Sequence, residues 1–148
     1  MTVQGFFDGT GRPRVEAVVV LPHLRTRGLV EFMVDTGADT TVLSRSDAES
    51  IGAKIDGLDD PHDVGGIGGT MRMYSVPAAV CLSDGSNERS FDIPIGIPDK
   101  IKDSAGYAEM PSLLGRDVIN RSVMIYDSLR RKLEFVFPLQ FSETPFPT

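Results

Sequence analysis

Residues 32–43 read Phe32-Met33-Val34-Asp35-Thr36-Gly37-Ala38-Asp39-Thr40-Thr41-Val42-Leu43, an apolar run that ends on a carboxylate and a glycine turn. An aspartate closing the segment Glu31-Phe32-Met33-Val34 stands where burial penalises an unpaired charge, so a purely structural role is hard to rationalise. Acid and base work near neutral pH calls for two neighbouring carboxylates, one charged while the other keeps its proton. Asp-Thr-Gly occurs only once in the sequence. One copy per chain implies two chains.

Two further segments follow in order. Val64-Gly65-Gly66-Ile67-Gly68-Gly69-Thr70 combines glycines that permit unusual dihedrals with one apolar residue suited to covering a bound peptide. Leu113-Leu114-Gly115-Arg116-Asp117-Val118-Ile119-Asn120-Arg121 sets an apolar pair before another glycine, echoing Met33-Val34 before Gly37. Taken together, the three segments resemble the catalytic loop, flap tip and apolar-apolar-Gly-Arg-Asp/Asn segment of the retroviral-type aspartic proteases, the retropepsins, over roughly residues 14 to 137. The continuation Thr-Thr-Val-Leu-Ser and the ending Asp-Val-Ile-Asn-Arg are nearer to the cellular and bacterial retropepsin-like proteins than to the viral enzymes.

The resemblance implies an all-β, retropepsin-like half-barrel of closed antiparallel sheets with short helices, active as a homodimer with its cleft between subunits. Asp35 would be the catalytic acid/base, sharing a proton and a water with its symmetry mate. Thr36 would brace the two loops across the dimer, and Gly37 would let the loop approach substrate. Ala38, Asp39, Gly65, Gly66 and Ile67 would contact substrate, and Met33, Val42, Val64 and Leu113 would line the cleft. Arg116 would pair with Asp39 and support the site, while Asp117 would cap the helix that follows Gly115.

Composition is compatible with this. A net charge of -6 without a clustered Lys/Arg face argues against nucleic acid as a partner. Arg130-Arg131-Lys132 is expected to be a solvated hairpin turn between two apolar strands. No apolar span reaches membrane length, so no membrane partner is expected. The single Cys81 cannot form an intrachain disulfide; its apolar surroundings predict a buried thiol and its isolation a reducing compartment, while the resemblance to the cellular and bacterial proteins implies a prokaryotic cytoplasmic protein. Met1 suits a separately translated protein. The acidic group Asp56, Asp59, Asp60, His62 and Asp63 has neither calcium-loop nor zinc spacing and is expected to be a solvated loop, so no metal or other cofactor is expected. His23 and His62 have no serine or cysteine nucleophile motif to serve.

The whole chain, 1–148, is expected to be one domain with a Pro-rich tail at 138–148, either disordered or clasping a dimer. Arg14 to Pro22 and Gly28 to Val34 are predicted to form a hairpin that delivers Asp35. Ser44-Arg45-Ser46-Asp47 predicts a capped helix ending at Gly52. His62 to Gly65 and Gly69 to Val76 should be the flap arms, with Tyr74 to Leu82 and Glu88 to Pro98 as a second strand pair. Lys100 to Met110 reads as an insertion, part loop and part helical turn. A short helix is predicted over Gly115 to Arg121, then strands Ser122 to Tyr126 and Lys132 to Phe137. Extra residues at both ends depart from the interleaved termini of the retroviral enzymes. The function expected is a homodimeric aspartic endopeptidase; the alternatives are a peptide- or partner-binding module of the same fold and an assembly unit that cleaves only itself.

Overall fold

The computed structural model describes residues 1–66, 69–99 and 109–138. In chain order come β1 (Thr2–Gln4), β2 (Phe6–Phe7), β3 (Pro13–Leu21), β4 (Thr26–Val34), α1 (Arg45–Ser50), β5 (His62–Gly66) and β6 (Gly69–Ser83). They are followed by β7 (Glu88–Pro98), β8 (Leu113–Leu114), α2 (Arg116–Ile119), β9 (Val123–Asp127) and β10 (Lys132–Val136). The fold is mainly β. Ile67, the Lys100–Asp103 start of the expected insertion through residue 108, and the tail from residue 139 lie outside the described residues.

Alternation builds the larger sheet. In β3 the side chains of Val15, Ala17, Val19 and Leu21 point into the core while Glu16 and Val18 face outward, the period-2 pattern of a half-buried strand. β3 turns through a short 3-10 segment at Pro22–Leu24, with Arg25 at a φ of 50°, and returns as β4 in the register Arg14↔Met33 to Leu21↔Thr26. The predicted hairpin is present. Its inward residues meet Val76, Val80, Leu82, Ile93 and Ile95 from β6 and β7 to form the main core.

The second flap arm and the strand predicted after it are one continuous β6, fifteen residues long. It pairs with β5 at one end and with β7 along its whole length from Met73 to Ser83, and β3 joins it through Val18↔Cys81. That row corrects the expected burial of Cys81. Its neighbours Val80 and Leu82 take the inward positions, so the thiol falls on the outer face, half exposed and 3.3 Å from the Ser90 hydroxyl.

The expectation of wholly antiparallel sheets also needs correction. β8 runs parallel to β4, with Met33 beside Leu113 and Val34 beside Leu114. The two apolar pairs that precede Gly37 and Gly115 therefore lie side by side. A long crossover, residues 35 to 112, brings the chain back in the same direction.

The smaller sheet has the order β1-β10-β9, antiparallel throughout. β1 was not foreseen, and it pairs with β10 of its own chain, so the N-terminal strand is already partnered. Among the described residues β1 and β9 are each hydrogen-bonded on one side only, and Val123 and Tyr126 on β9 are exposed. The Arg130-Arg131-Lys132 segment turns between β9 and β10 as expected, and the Arg130 guanidinium holds the Asp127 carboxyl below the usual carboxylate range.

Helix α1 is capped as predicted by Ser44, whose hydroxyl accepts from the Asp47 amide at 3.1 Å. The reciprocal half of the cap is different. Buried Ser112 accepts from the Ser44 amide at 2.8 Å and donates to the Asp47 carboxylate, so the residue preceding β8 is fastened to the first turn of α1. Ser112→Ala should cost about 1–3 kcal/mol, because it strands a buried amide. Urea unfolding of the variant beside Ser46→Ala, which lies on the exposed side of that turn, checks the ranking, with Ser112→Ala expected to be the less stable.

Candidate active site

Asp35 stands at the end of β4. Phe32 on that strand is fully buried and fixes it in the core, while the Asp35 amide donates to the Leu114 carbonyl at 3.0 Å and ties the loop to β8. The chain then turns tightly, Ala38 N donating to Asp35 O at 3.2 Å. The carboxylate accepts from the Gly37 amide at 2.9 Å, and it is half exposed. A Cβ on residue 37 would sit 3.1 Å from Asp35 Oδ1. Glycine is needed there because the amide must come close enough to orient the carboxylate.

The loop is held from behind by the start of α2. Gly115 passes so close to residues 40 and 41 that a Cβ would lie 2.5 Å from the Thr40 carbonyl carbon, which leaves room for no other residue. Thr41, fully buried, accepts from the Gly115 amide at 3.1 Å and donates its hydroxyl to Asp117 at 2.7 Å. Its own amide donates to the other Asp117 oxygen at 2.9 Å. Asp117 therefore does not cap α2. Gly115 occupies the N-cap position without a side-chain cap, and the Asp117 carboxylate is spent on Thr41.

Arg116 meets the residues expected of it. Its amide donates to Ala38 O at 2.9 Å, and its guanidinium donates to the Thr36 carbonyl at 2.8 Å and to the Asp39 carboxylate. The ion pair is open to solvent, with the Asp39 side chain 83% exposed, so its charge attraction is weakly stabilising. Thr36 is exposed at the outer edge of the loop.

The flap arms fold over this floor as a two-stranded ribbon, with Val64 opposite Met71 and Gly65 opposite Thr70. Its outer face carries Asp63 and Arg72, an exposed pair 3.8 Å apart. Its inner face joins a second apolar cluster, separate from the main core, in which Val42, Met73 and Leu113 are buried and Met33, Ala38, Val64, Met71 and Met110 pack around them. Backbone bonds in both directions between Val42 and Leu113, at 2.8 and 2.9 Å, lock the wall beside Asp35.

The structure thus gathers Met33, Ala38, Val42, Val64 and Leu113 into one wall, places Asp39 and Arg116 together at its edge, and sets Gly65 and Gly66 on the flap arm. Reading by residue missed Thr41, Ser112, Gly96, Met71, Met73 and Met110. The alternation of Met71 and Met73 was the available signal for the last group, since residues two apart on a strand share a face. Two of the acidic-loop carboxylates are engaged, Asp56 by Arg45 and Asp63 by Arg72. Among the described residues no group of three or more His, Cys, Asp or Glu is placed to hold a metal ion, and no helix is long and apolar enough to cross a membrane.

A mainly β chain whose Asp-Thr-Gly loop is braced by a Gly-Arg-Asp helix has known counterparts. It is similar in fold to a retropepsin-like aspartic protease from Rickettsia conorii, with a TM-score of 0.56 and 17% identity over 93% of this chain and 89% of that one. It is also similar to EIAV protease, solved in complex with the inhibitor HBY-793, with a TM-score of 0.51 and 20% identity over 77% of this chain and 90% of that one. No curated protein matches by sequence. Residues 27–83, which carry the Asp35 loop and both flap arms, match the family model described as aspartyl protease. The family match is thus local to that segment, while the likeness to the two solved proteases is one of overall fold.

The geometry ranks the supports of the loop. Thr41→Val keeps the shape but leaves Asp117 Oδ1 and the Gly115 amide without their partner, and should cost about 1–3 kcal/mol. Asp39→Ala removes one end of an exposed pair and should cost about 0–1 kcal/mol. Chemical denaturation of the two variants side by side checks the order; equal losses would mean that the buried hydroxyl is not the principal brace.

Proposed function

We propose that the protein is an aspartic endopeptidase that works as a homodimer, each chain supplying one Asp35 to a shared dyad. The observation that carries this reading is the state of Asp35. It is a half-exposed carboxylate fixed by the Gly37 amide at 2.9 Å, and among the described residues no second acidic side chain bonds to it. One carboxylate can act as acid or as base at a given moment. Two copies brought together across a twofold axis would share a proton and hold a water between them. The charged oxygen takes a proton from the water as it attacks the scissile carbonyl, and the protonated partner donates to the carbonyl oxygen.

Several features support a second copy as the missing half. Thr36, the residue that would brace the two loops, is exposed in the single chain. The smaller sheet ends on β1 and β9 among the described residues, and the β9 edge, with Val123 and Tyr126 exposed, offers an apolar side to a second copy. Substrate would lie extended between flap and floor, with alternate side chains against the wall of Met33, Val42, Val64 and Leu113. The lone Cys81 suits the cytoplasmic setting that goes with this reading.

Asp35→Asn should abolish peptide cleavage while leaving fold and dimer intact, since it removes ionisation without removing volume. Activity should fall at high pH as both dyad members become charged. Specific activity should also drop on dilution. A tethered tandem dimer should resist that drop, and one Asp35→Asn copy within it should silence the molecule. Sedimentation run alongside a peptide-library assay checks both halves of the reading. A monomer with concentration-independent activity would overturn the shared dyad, and a dimer that binds peptides yet cleaves none would favour the binding module. Val123→Lys, which puts a charge on the β9 edge, should weaken self-association.

A further inference from the structure

Four of the chain's six methionines, Met33, Met71, Met73 and Met110, meet in the single apolar cluster beside Asp35. They come from separate places: the strand carrying Asp35, the second flap arm, and the segment just before β8. Met73 is buried, and its sulfur lies 3.0 Å from where a Cβ on Gly96 would stand, so that glycine leaves room for the thioether. Met33, Met71 and Met110 are only partly buried. Their neighbours in the cluster, Val42, Val64, Ala38 and Leu113, have aliphatic side chains with no donor for a polar atom.

We propose that Met33, Met71 and Met110 form an oxidation site at which peroxide reversibly shuts the cleft. This rests on the peptidase reading only for its consequence, since the site itself is defined by the cluster. A thioether sulfur attacks one peroxide oxygen, the O–O bond breaks, sulfur loses two electrons and becomes a sulfoxide, and the peroxide is reduced to water. The product is polar and needs a hydrogen bond that the aliphatic neighbours cannot give. On Met71 that oxygen falls between flap and floor and drives the ribbon off the wall. On Met33 it falls two residues before Asp35, on the strand that delivers that carboxylate. Reduction restores a flexible apolar side chain and the original packing.

The test uses the full-length protein treated with hydrogen peroxide, with sulfoxides mapped by mass spectrometry. Amide hydrogen exchange is followed over residues 62–66 and 69–73, and peptide cleavage is measured in parallel. Oxidation should speed exchange in both arms and lower kcat/KM at least tenfold. Methionine sulfoxide reductases acting on both epimers should reverse both effects, which separates them from chemistry at Cys81. In a Met33→Leu, Met71→Leu, Met110→Leu protein the ratio of oxidised to untreated activity should stay near one, each protein being compared with itself. Should that variant fail to fold, Met71→Leu alone must still slow the peroxide-induced rise in exchange. A Met124→Leu protein should remain as sensitive as the parent. Sulfoxides at the three sites with unchanged exchange and cleavage, or a triple variant as sensitive as the parent, would overturn the proposal. A protein that cleaves nothing before treatment but whose flap amides loosen and recover would defeat the peptidase reading and leave the oxidation site standing.

Discussion

The buried hydroxyl of Thr41 is the constraint on which the site depends. It accepts from the backbone of Gly115 and donates to Asp117, so one side chain joins the Asp35 loop to a helix that lies 76 positions further along the chain. The contact is possible only because residue 115 has no Cβ; Thr40 and Gly115 pass backbone against backbone. Once they are joined, β8 is carried alongside β4, the Asp35 amide finds the Leu114 carbonyl, and the carboxylate is left with a defined direction. The Arg116 to Asp39 pair, by contrast, is open to solvent and contributes aim more than strength.

The loop's interior is satisfied by its own chain, while its outward features, the Asp35 carboxylate and Thr36, face away from the core. A buried unpaired charge would be expensive, whereas a partly exposed one can wait for a partner at small cost. The same division recurs in the smaller sheet, where β10 is paired on both sides while β9, among the described residues, is paired on one.

Much of this was legible from residue order. Period-2 alternation located β3, β4, β6 and β7, because one face of each meets a continuous apolar core. The Asp-Thr-Gly and Gly-Arg-Asp segments were legible for a different reason: glycine before or after a carboxylate records a backbone approach that other residues cannot make. What stayed hidden depends on contacts between distant positions. Nothing local to Thr41 or Ser112 announces a buried hydroxyl, since threonine and serine are equally at home in turns. Asp117 was read as a helix cap because the first turn of a helix attracts carboxylates, and the competing demand of Thr41 is invisible in sequence. Cys81 was misplaced because a run of apolar residues does not say which face each one takes.

The flap's mechanics follow from where β6 changes partners. Met73 pairs with His62 of β5 on one side and Pro98 of β7 on the other, and just beyond it the Arg72 carbonyl still accepts from the Asp99 amide at 3.0 Å, so the two-sided grip ends at these two residues. Towards the tip, Met71 and Thr70 pair with β5 alone, and an isolated two-stranded ribbon is only marginally stable in water. Towards the core, β6 is tied to β3 and β7 and its inward residues are buried. The ribbon is therefore rooted at Met73, which is buried where the apolar wall, Gly96 and the flap converge. What holds the free part down is mainly the contact of Val64 and Met71 with the wall beside Asp35, because the outer Asp63 and Arg72 pair is solvated and weak. Apolar contact of that kind is non-directional, so a bound side chain can replace it without breaking a single backbone bond. Lifting the ribbon then requires only that the wall let go of it, while the strand that roots it stays within the sheet.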